Sequence, residues 1–155
     1  MRRSFAARFL ALCLLAAGAA AAVPTVTLAV DTETSKDAPD LGAIRAKIKA
    51  RDFKAAIADL MALVDNGVQH ADVYNLLGFS LRKSGDLKQA YTYYRKALEF
   101  DPDHKGALEY LGELYVETGD LPKAREHLAK LQKLCPQSCE ELEDLEKAIQ
   151  AAQKT

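Results

Sequence analysis

The fold is decided by residues 71–104, which run ADVYNLLGFSLRKSGDLKQAYTYYRKALEFDPDH and are followed at once by KGALEYLGELYVETGDLPKAREHLAKLQKLCPQS at 105–138. The two stretches share special residues at a constant offset of 34. Leu77-Gly78 recurs as Leu111-Gly112, SGDL at 84–87 recurs as TGDL at 118–121, Ala90 recurs as Ala124, and Pro102 recurs as Pro136. So much agreement at one offset indicates an internal repeat rather than coincidental spacing in a helical bundle.

Within each stretch, the pattern predicts two helices separated by a tight turn. Tyr74, Leu77 and Leu81 fall at i, i+3 and i+7, which places them on one face of a helix. Gly85 suits the left-handed residue that ends this helix. Asp86 suits the cap that accepts hydrogen bonds from the free amides of the next helix. The same Gly-Asp pair recurs one unit later.

Small residues at equivalent positions predict close contacts between helices. Gly78 and Gly112 would let the first helix of each pair approach a neighbouring helix closely. Ala90 and Ala124 would do the same from the second helix. A larger side chain at any of these four positions would force the helices apart.

The repeat resembles the tetratricopeptide repeat, a 34-residue helix-turn-helix unit with a Leu-Gly, Tyr, Ala, Phe, Pro pattern. The first unit, 71–104, matches at Tyr74, Leu77, Gly78, Leu81, Ala90, Tyr94, Ala97 and Pro102. The second unit, 105–138, matches at Leu111, Gly112, Tyr115, Ala124, Leu128 and Pro136, with departures at Leu108 and Leu131. The resemblance implies an all-α fold, a right-handed superhelical stack of helix-turn-helix repeats with a C-terminal capping helix.

A degenerate copy of the repeat is predicted at 37–70. The sequence RDFKAAI at 51–57 resembles the start of a second helix, and Ala56 precedes Ala90 by one repeat length. The first helix of this copy lacks the Leu-Gly pair, because Ala43-Ile44 stands there instead. Since three repeats are the usual minimum for a stable stack, the repeat domain is expected to occupy 40–152.

The last predicted helix, at 139–152, is expected to close the stack. Ser138 and Glu141 are spaced as a capping box, in which each side chain satisfies a free amide. Apolar residues then follow at helical spacing, at Leu142, Leu145 and Ile149. The acidic residues of the segment are expected to face elsewhere, namely Glu140, Glu141, Glu143, Asp144 and Glu146.

The first 22 residues have the pattern of a secretory signal peptide. Three arginines precede residue 9, an apolar run covers 9–15, and small residues at 16–22 offer cleavage sites of the Ala-x-Ala kind. The apolar run is too short for a membrane-spanning helix, which needs about 20 such residues. We therefore expect a cleaved signal and a periplasmic or secreted protein whose net charge changes from −1 to −4.

A flexible leader is expected between the signal and the repeats. Residues 23–39 contain two prolines, four threonines and one serine, and they have no helical period. Such a segment cannot bury enough apolar surface to offset the entropy of ordering it.

Neither charge nor motifs favour catalysis or nucleic-acid binding. The net charge of −1 leaves no basic surplus for a phosphate backbone. The sequence lacks a Ser/His/Asp order, a phosphate loop and metal-binding spacing, so we expect no catalytic residue, cofactor, metal site or small-molecule substrate. His70, His104 and His127 are expected to be surface or junction residues.

Cys135 and Cys139 flank Pro136 and would remain as a pair after the signal is removed. In an oxidising compartment we expect them to form a disulfide that fixes the last repeat to the capping helix. The alternative is a redox-active pair, although its spacing differs from the C-x-x-C of such proteins. A thiol-redox protein acting through Cys135 and Cys139 is therefore the second functional hypothesis.

The resemblance also implies where a partner would bind, because the first helix of each pair lines a concave groove in such proteins. By that resemblance the groove receives Asp72, Asn75, Phe79, Arg82 and Lys83 from one repeat, and Glu109, Glu113, Val116 and Glu117 from the next. The surface would be basic at the first repeat and acidic at the second. The alternative is that these residues are only the solvated faces of their helices.

The resemblance implies an adaptor that binds a protein or peptide partner and is not an enzyme. Fold-level analogy suggests cell-envelope or cytochrome-assembly complexes as its setting. A groove of so few repeats would hold only a short segment, unless a second copy of the chain lay beside it as a homo-oligomer. A membrane is expected to be contacted only through the signal peptide.

Overall fold

The computed structural model describes residues 38–154, and the regular structure within that range is α-helical. The helices are α1 (Gly42–Lys49), α2 (Phe53–Asp65), α3 (Ala71–Lys83), α4 (Leu87–Phe100), α5 (Lys105–Glu117), α6 (Leu121–Leu134) and α7 (Glu140–Ala152). The predicted signal peptide and all but the last two residues of the predicted leader lie outside the described residues. In the described part, every helix is too short or too polar to cross a bilayer.

The helices form consecutive pairs that stack on one another. Helices α3 and α4 share the most extensive interface, followed by α5 and α6, while α1 packs on α2. Contacts of α2 with α3 and of α4 with α5 join each pair to the next. Helix α7 packs on both α5 and α6, where the first helix of a further pair would lie. The prediction of an all-α stack of helical repeats is confirmed.

Glycine and aspartate end one helix and begin the next at two equivalent turns, as predicted. Gly85 and Gly119 have φ angles of 90° and 82°, which glycine adopts without the steric cost of a Cβ atom. Oδ1 of Asp86 then accepts a hydrogen bond from the backbone N–H of Gln89 at 3.0 Å. Asp120 caps α6 in the same way.

Two glycines bring α3 and α5 close to their neighbours. A Cβ atom at Gly78 would lie 2.7 Å from the ring of Tyr94 in α4, which is fully buried. A Cβ atom at Gly112 would lie 2.6 Å from Leu145, so the second glycine makes room for α7. The predicted close contacts are confirmed, and Ala90 of α4 is fully buried as well.

The start of α7 differs from the predicted capping box. Cys139 rather than Ser138 occupies the cap position, and its side chain makes no capping hydrogen bond. Ser138 has a φ of 78°, and its hydroxyl donates to Glu143 at 2.9 Å. The tight turn explains the shift, because the backbone N–H of Ser138 donates to the carbonyl oxygen of Cys135. The capping-box prediction is therefore wrong.

Beyond this turn, α7 buries the apolar face that the sequence predicts. Leu142, Leu145 and Ile149 are buried, and they share a core cluster with Cys135. The sulfur atoms of Cys135 and Cys139 lie at bonding distance, and their Cα atoms are 5.8 Å apart. Both cysteines thus lie where the last repeat meets the capping helix.

Two histidines cap the first helices of successive repeats, a role that we did not predict from the sequence. Nδ1 of His70 accepts from the backbone N–H of Asp72, and Nδ1 of His104 accepts from that of Ala107, each at 3.1 Å. The two histidines are separated by one repeat length, so they belong to the repeat pattern. Because Nδ1 of His104 is an acceptor, Nε2 carries the ring proton and donates to Oδ1 of Asp72 at 2.9 Å.

We expect His104→Ala to lower the free energy of unfolding by about 1–2 kcal/mol, because it removes both the cap of α5 and the bond to Asp72. His104→Asn is the matched control, since asparagine retains a capping oxygen. Urea denaturation followed by circular dichroism would measure both variants. Equal stability of the alanine and asparagine variants would show that the cap contributes nothing.

Candidate partner-binding groove

The first helices of the pairs and the capping helix line a cavity of about 290 Å³. Its lining residues are Arg45, Asp72, Asn75, Leu76, His104, Gly106, Glu109, Tyr110, Glu140, Glu141 and Asp144. We call it the acidic cavity, because five of these residues are carboxylates. Its lining comes from α1, α3, α5, α7 and the cap of α5, so it lies on the side of the stack formed by the first helices.

Glu109 is the most buried carboxylate of the acidic cavity, with 6% of its surface exposed. Within residues 38–154, its carboxyl group has neither a hydrogen bond nor an ion pair. Burial, followed by the negative charges of Glu113 and Asp144, raises the pKa of Glu109 to about 8. A carboxyl group that is desolvated without a partner is unfavourable for folding, and such groups are concentrated at functional sites.

Asn75 brings a second unsatisfied polar group to the same cavity. Its side chain is also only 6% exposed, and its Oδ1 atom is buried without a hydrogen-bond partner among the described residues. Gly106 makes space for the amide, because a Cβ atom there would lie 3.1 Å from Nδ2 of Asn75. Asn75 and Glu109 occupy equivalent positions of successive repeats.

Asp72 lies at the border of the acidic cavity and is held from two sides. His104 donates to its Oδ1 atom, and Nη2 of Arg45 lies 3.8 Å from the same atom. Arg45 is the single lysine or arginine that lines the cavity, and its side chain is 55% exposed. An ion pair this long and this exposed leaves the cavity strongly acidic.

Arg82 is paired with the predicted acidic stripe and is therefore not a free basic residue. Its Nη1 atom donates to Glu113 at 2.5 Å, and its Nε atom donates to Glu117 at 2.9 Å. Burial opposes the charged form, but these two bonds outweigh it and raise the pKa of Arg82. The bonds join α3 to α5, so the basic and acidic residues predicted for separate ligand contacts neutralise each other.

Lys83 and Phe79 line a separate cavity of about 550 Å³, which we call the basic-apolar cavity. The remaining lining residues are Ile48, Lys49, Arg51 and Phe53. Lys83 is exposed, and its Nζ atom lies 5.3 Å from the centre of the Phe79 ring. The ring of Phe79 also packs 5.0 Å from that of Tyr110, which lines the acidic cavity. The two cavities therefore meet through a pair of aromatic rings.

Among residues 38–154, no group of three or more histidine, cysteine, aspartate or glutamate side chains is arranged to hold a metal ion.

Two family models, each described as a tetratricopeptide repeat, match this chain at residues 41–104 and 81–149. The chain belongs to the tetratricopeptide repeat family. Tetratricopeptide repeats generally mediate binding between proteins, and the first helices that line both cavities here are the part of the repeat that the resemblance assigns to partners.

Three relatives show how widely this tetratricopeptide repeat sequence is shared. It is 37% identical over 62 residues to the protein ycf37 of Pyropia yezoensis, covering 40% of this chain and 35% of that protein. It is 35% identical over 104 residues to cellulose synthase 2 operon protein C of Komagataeibacter xylinus, covering 67% of this chain and 8% of that protein. It is 42% identical over 60 residues to the BBSome complex member BBS4 of Bos taurus, covering 39% of this chain and 12% of that protein. The chain thus spans about a third of the first relative and about a tenth of the others.

The predicted groove residues of this tetratricopeptide repeat protein separate into four groups. Asp72, Asn75 and Glu109 line the acidic cavity, Phe79 and Lys83 line the basic-apolar cavity, Arg82, Glu113 and Glu117 form the ion-paired bridge, and Val116 packs against the C-terminal core cluster. Val116 is partly buried.

Sequence reasoning missed the part of the acidic cavity that comes from α7. Glu140, Glu141 and Asp144 line it, although we expected them only to face away from the core. The repeat length of 34 residues could have predicted the position of two of these acids. One repeat length beyond Gly106 and Tyr110 stand Glu140 and Asp144, so α7 presents acids where the repeats present their own lining residues.

Proposed function

We propose that this protein is an exported adaptor that holds a short segment of a partner protein against the face formed by α1, α3, α5 and α7. The observation that carries the proposal is the pair of buried polar groups on that face, at Asn75 and Glu109, which lack partners within the described chain. Buried polar groups are normally satisfied. A bound segment would satisfy the carboxyl group of Glu109 directly, and it would satisfy the Oδ1 atom of Asn75, which is closed to solvent, once the amide rotates toward the cavity.

The names of the relatives support a role in assembly. BBS4 is by its name a member of a complex, and the Komagataeibacter protein is named for a cellulose synthase operon. The predicted signal peptide supports a place in the cell envelope or outside the cell. Within the envelope, the proposed setting is a multiprotein assembly, of which cytochrome assembly is one example.

A photocrosslinking amino acid placed at position 83 would test the groove in cells that make the protein natively. Lys83 is exposed and lines the basic-apolar cavity, whereas Lys133 is exposed on α6 and provides a matched control. We expect a discrete adduct from position 83 and none from position 133. Equal adducts from both positions, or no adduct from position 83, would contradict the proposed groove.

Fractionation and mass spectrometry of the same cells would test export. We expect a chain that begins near Val23, recovered from the periplasm or the medium. Recovery of the chain with its first residues intact in the cytoplasm would contradict export.

We further propose that Cys135 and Cys139 form a structural disulfide. Cys135 is buried in the C-terminal core cluster, which favours a structural role over the redox alternative, because a redox-active thiol has to be reached by its partner. Thiol titration separates the two hypotheses. A pair that exchanges readily with glutathione would support the redox protein instead.

Reduction of this pair is expected to lower the free energy of unfolding by about 2 kcal/mol, because the closed loop is short and its effect on the unfolded chain is small. Urea denaturation with and without reductant would measure the change. The variant in which both cysteines are replaced by serine is the control, and reductant should leave its stability unchanged. An effect of reductant on that variant would exclude the disulfide as the cause.

A further inference from the structure

The acidic cavity is rich in acceptors and poor in donors. Five carboxylates line it, and the unpartnered Oδ1 atom of Asn75, which is closed to solvent, adds another acceptor when its amide rotates toward the cavity. Arg45 is its single lining lysine or arginine, and it lies on the border beside Asp72. A group that satisfied these acceptors would therefore have to be a cation that donates several hydrogen bonds.

The acceptors lie on three helices. Asn75 belongs to α3, Glu109 to α5, and Glu141 and Asp144 to α7. Burial of Glu109 without a partner means that an incoming cation would meet a carboxyl group that water no longer solvates well. Electrostatic attraction and hydrogen bonding are both stronger at such a site than at an exposed one.

We propose that the acidic cavity receives an arginine side chain of the partner segment, whose guanidinium group lies against Glu109 and Asn75. This inference rests on the proposed function, because it names the chemistry of the segment that the first-helix face holds. A partner segment could instead be held by a negatively charged group, such as its terminal carboxylate, bound to a basic side chain of the groove. Arg82 is not free for that role, because it is already bound to Glu113 and Glu117.

Arginine fits the arrangement better than lysine does. A guanidinium group is planar, carries five N–H donors and is weakly hydrated, so it enters a partly desolvated site with acceptors on several sides. A lysine ammonium group is a compact, strongly hydrated charge that suits a single cluster of oxygens. A cavity of about 290 Å³ that is lined by four helices also leaves room for the longer and flatter group. The aromatic ring of Tyr110 lines the same cavity and offers a surface on which a guanidinium can stack.

The probe is a short blocked peptide, acetyl-Gly-Arg-Gly-amide, titrated into the isotope-labelled protein and followed by nuclear magnetic resonance. We expect saturable shifts of the side-chain amide of Asn75 and of the backbone amide of Gly106, which adjoins it. The same peptide with citrulline in place of arginine keeps the shape and loses the charge, and it should bind at least tenfold more weakly. The lysine peptide should fall between them. Absence of saturable shifts with the arginine peptide, equal binding of the citrulline peptide, or tighter binding of the lysine peptide would overturn the proposal.

Glu109→Gln tests the cavity without changing its shape. Above the Glu109 pKa of about 8, where its carboxyl group is ionised, we expect this variant to bind the arginine peptide at least tenfold more weakly. Glu99→Gln, which removes an exposed carboxylate of α4, should leave affinity unchanged at the same pH. Thermal unfolding of both variants would verify that they are folded. Undiminished binding by Glu109→Gln would overturn the proposal.

Crosslinking separates failure of this inference from failure of the proposed function. An adduct from position 83 that persists in the Glu109→Gln protein would overturn the arginine site and leave the adaptor function standing. Absence of any adduct from position 83 in the otherwise unaltered chain would overturn the adaptor function itself. Loss of the adduct only when Glu109 is replaced would support both.

Discussion

Tyr94→Ala is expected to lower the free energy of unfolding by about 3–5 kcal/mol, the largest loss that we predict for a single substitution. The ring of Tyr94 is fully buried and fills the space that Gly78 leaves on α3. Its removal would open a void in the middle of the most extensive helix interface of the stack. Urea denaturation followed by circular dichroism is the direct measurement.

Tyr94→Phe provides the control, because it keeps the ring and removes only the hydroxyl. That hydroxyl oxygen is buried and has no hydrogen-bond partner among the described residues, so its removal should change stability by about 1 kcal/mol or less. A loss from Tyr94→Phe as large as that from Tyr94→Ala would mean that the hydroxyl, and not the packing of the ring, stabilises the pair of helices.

Glu109→Gln is expected to stabilise the protein by on the order of 3 kcal/mol at alkaline pH and to have little effect near pH 4. The pKa of Glu109 is about 8 in the folded protein, above its ordinary value of 4.5. Between these values the folded state holds a proton that the unfolded state has lost, so the stability of the natural protein falls as pH rises. A glutamine side chain does not ionise, so the free energy of unfolding of the variant does not fall in this way as pH rises.

Unfolding curves at several pH values would measure the difference between the two proteins. The other charged or titratable groups around Glu109 are shared by both and cancel in that difference. They are Arg45, Asp72, Arg82, His104, Tyr110, Glu113, Glu140, Glu141 and Asp144. A difference that is independent of pH would show that Glu109 titrates normally. The variant would then owe its stability to packing.

The repeat and its helices could be predicted because they depend on local patterns that the sequence states twice. Gly85 and Asp86, for example, act within one turn, and the structure places them as expected. The cap of α7 could not be predicted in the same way. The left-handed conformation of Ser138 depends on the turn that brings Cys135 and Cys139 together, and this is a contact outside the helix.

The proposed binding face was harder to predict, because contacts between helices decide whether each charge is paired or exposed. Arg82 looked free in the sequence, yet two glutamates of the following repeat engage it. Glu109 looked like a member of a solvated stripe, yet α3 and α7 enclose it. Spacing along one helix shows which face a residue occupies. It does not show whether another helix covers that face or pairs with its charged residues.

Helix α7 has two faces with different surroundings. One face buries Leu145 in the core, and the other places Asp144 in the lining of the acidic cavity. Its first residue directly follows Cys139. If conversion of the proposed disulfide to free thiols moved α7, it would also move the acids that α7 brings to the cavity, and the resulting linkage would be reciprocal. A reductant that frees Cys139 should weaken binding of a cation, and a bound cation should make the cysteines harder to reduce.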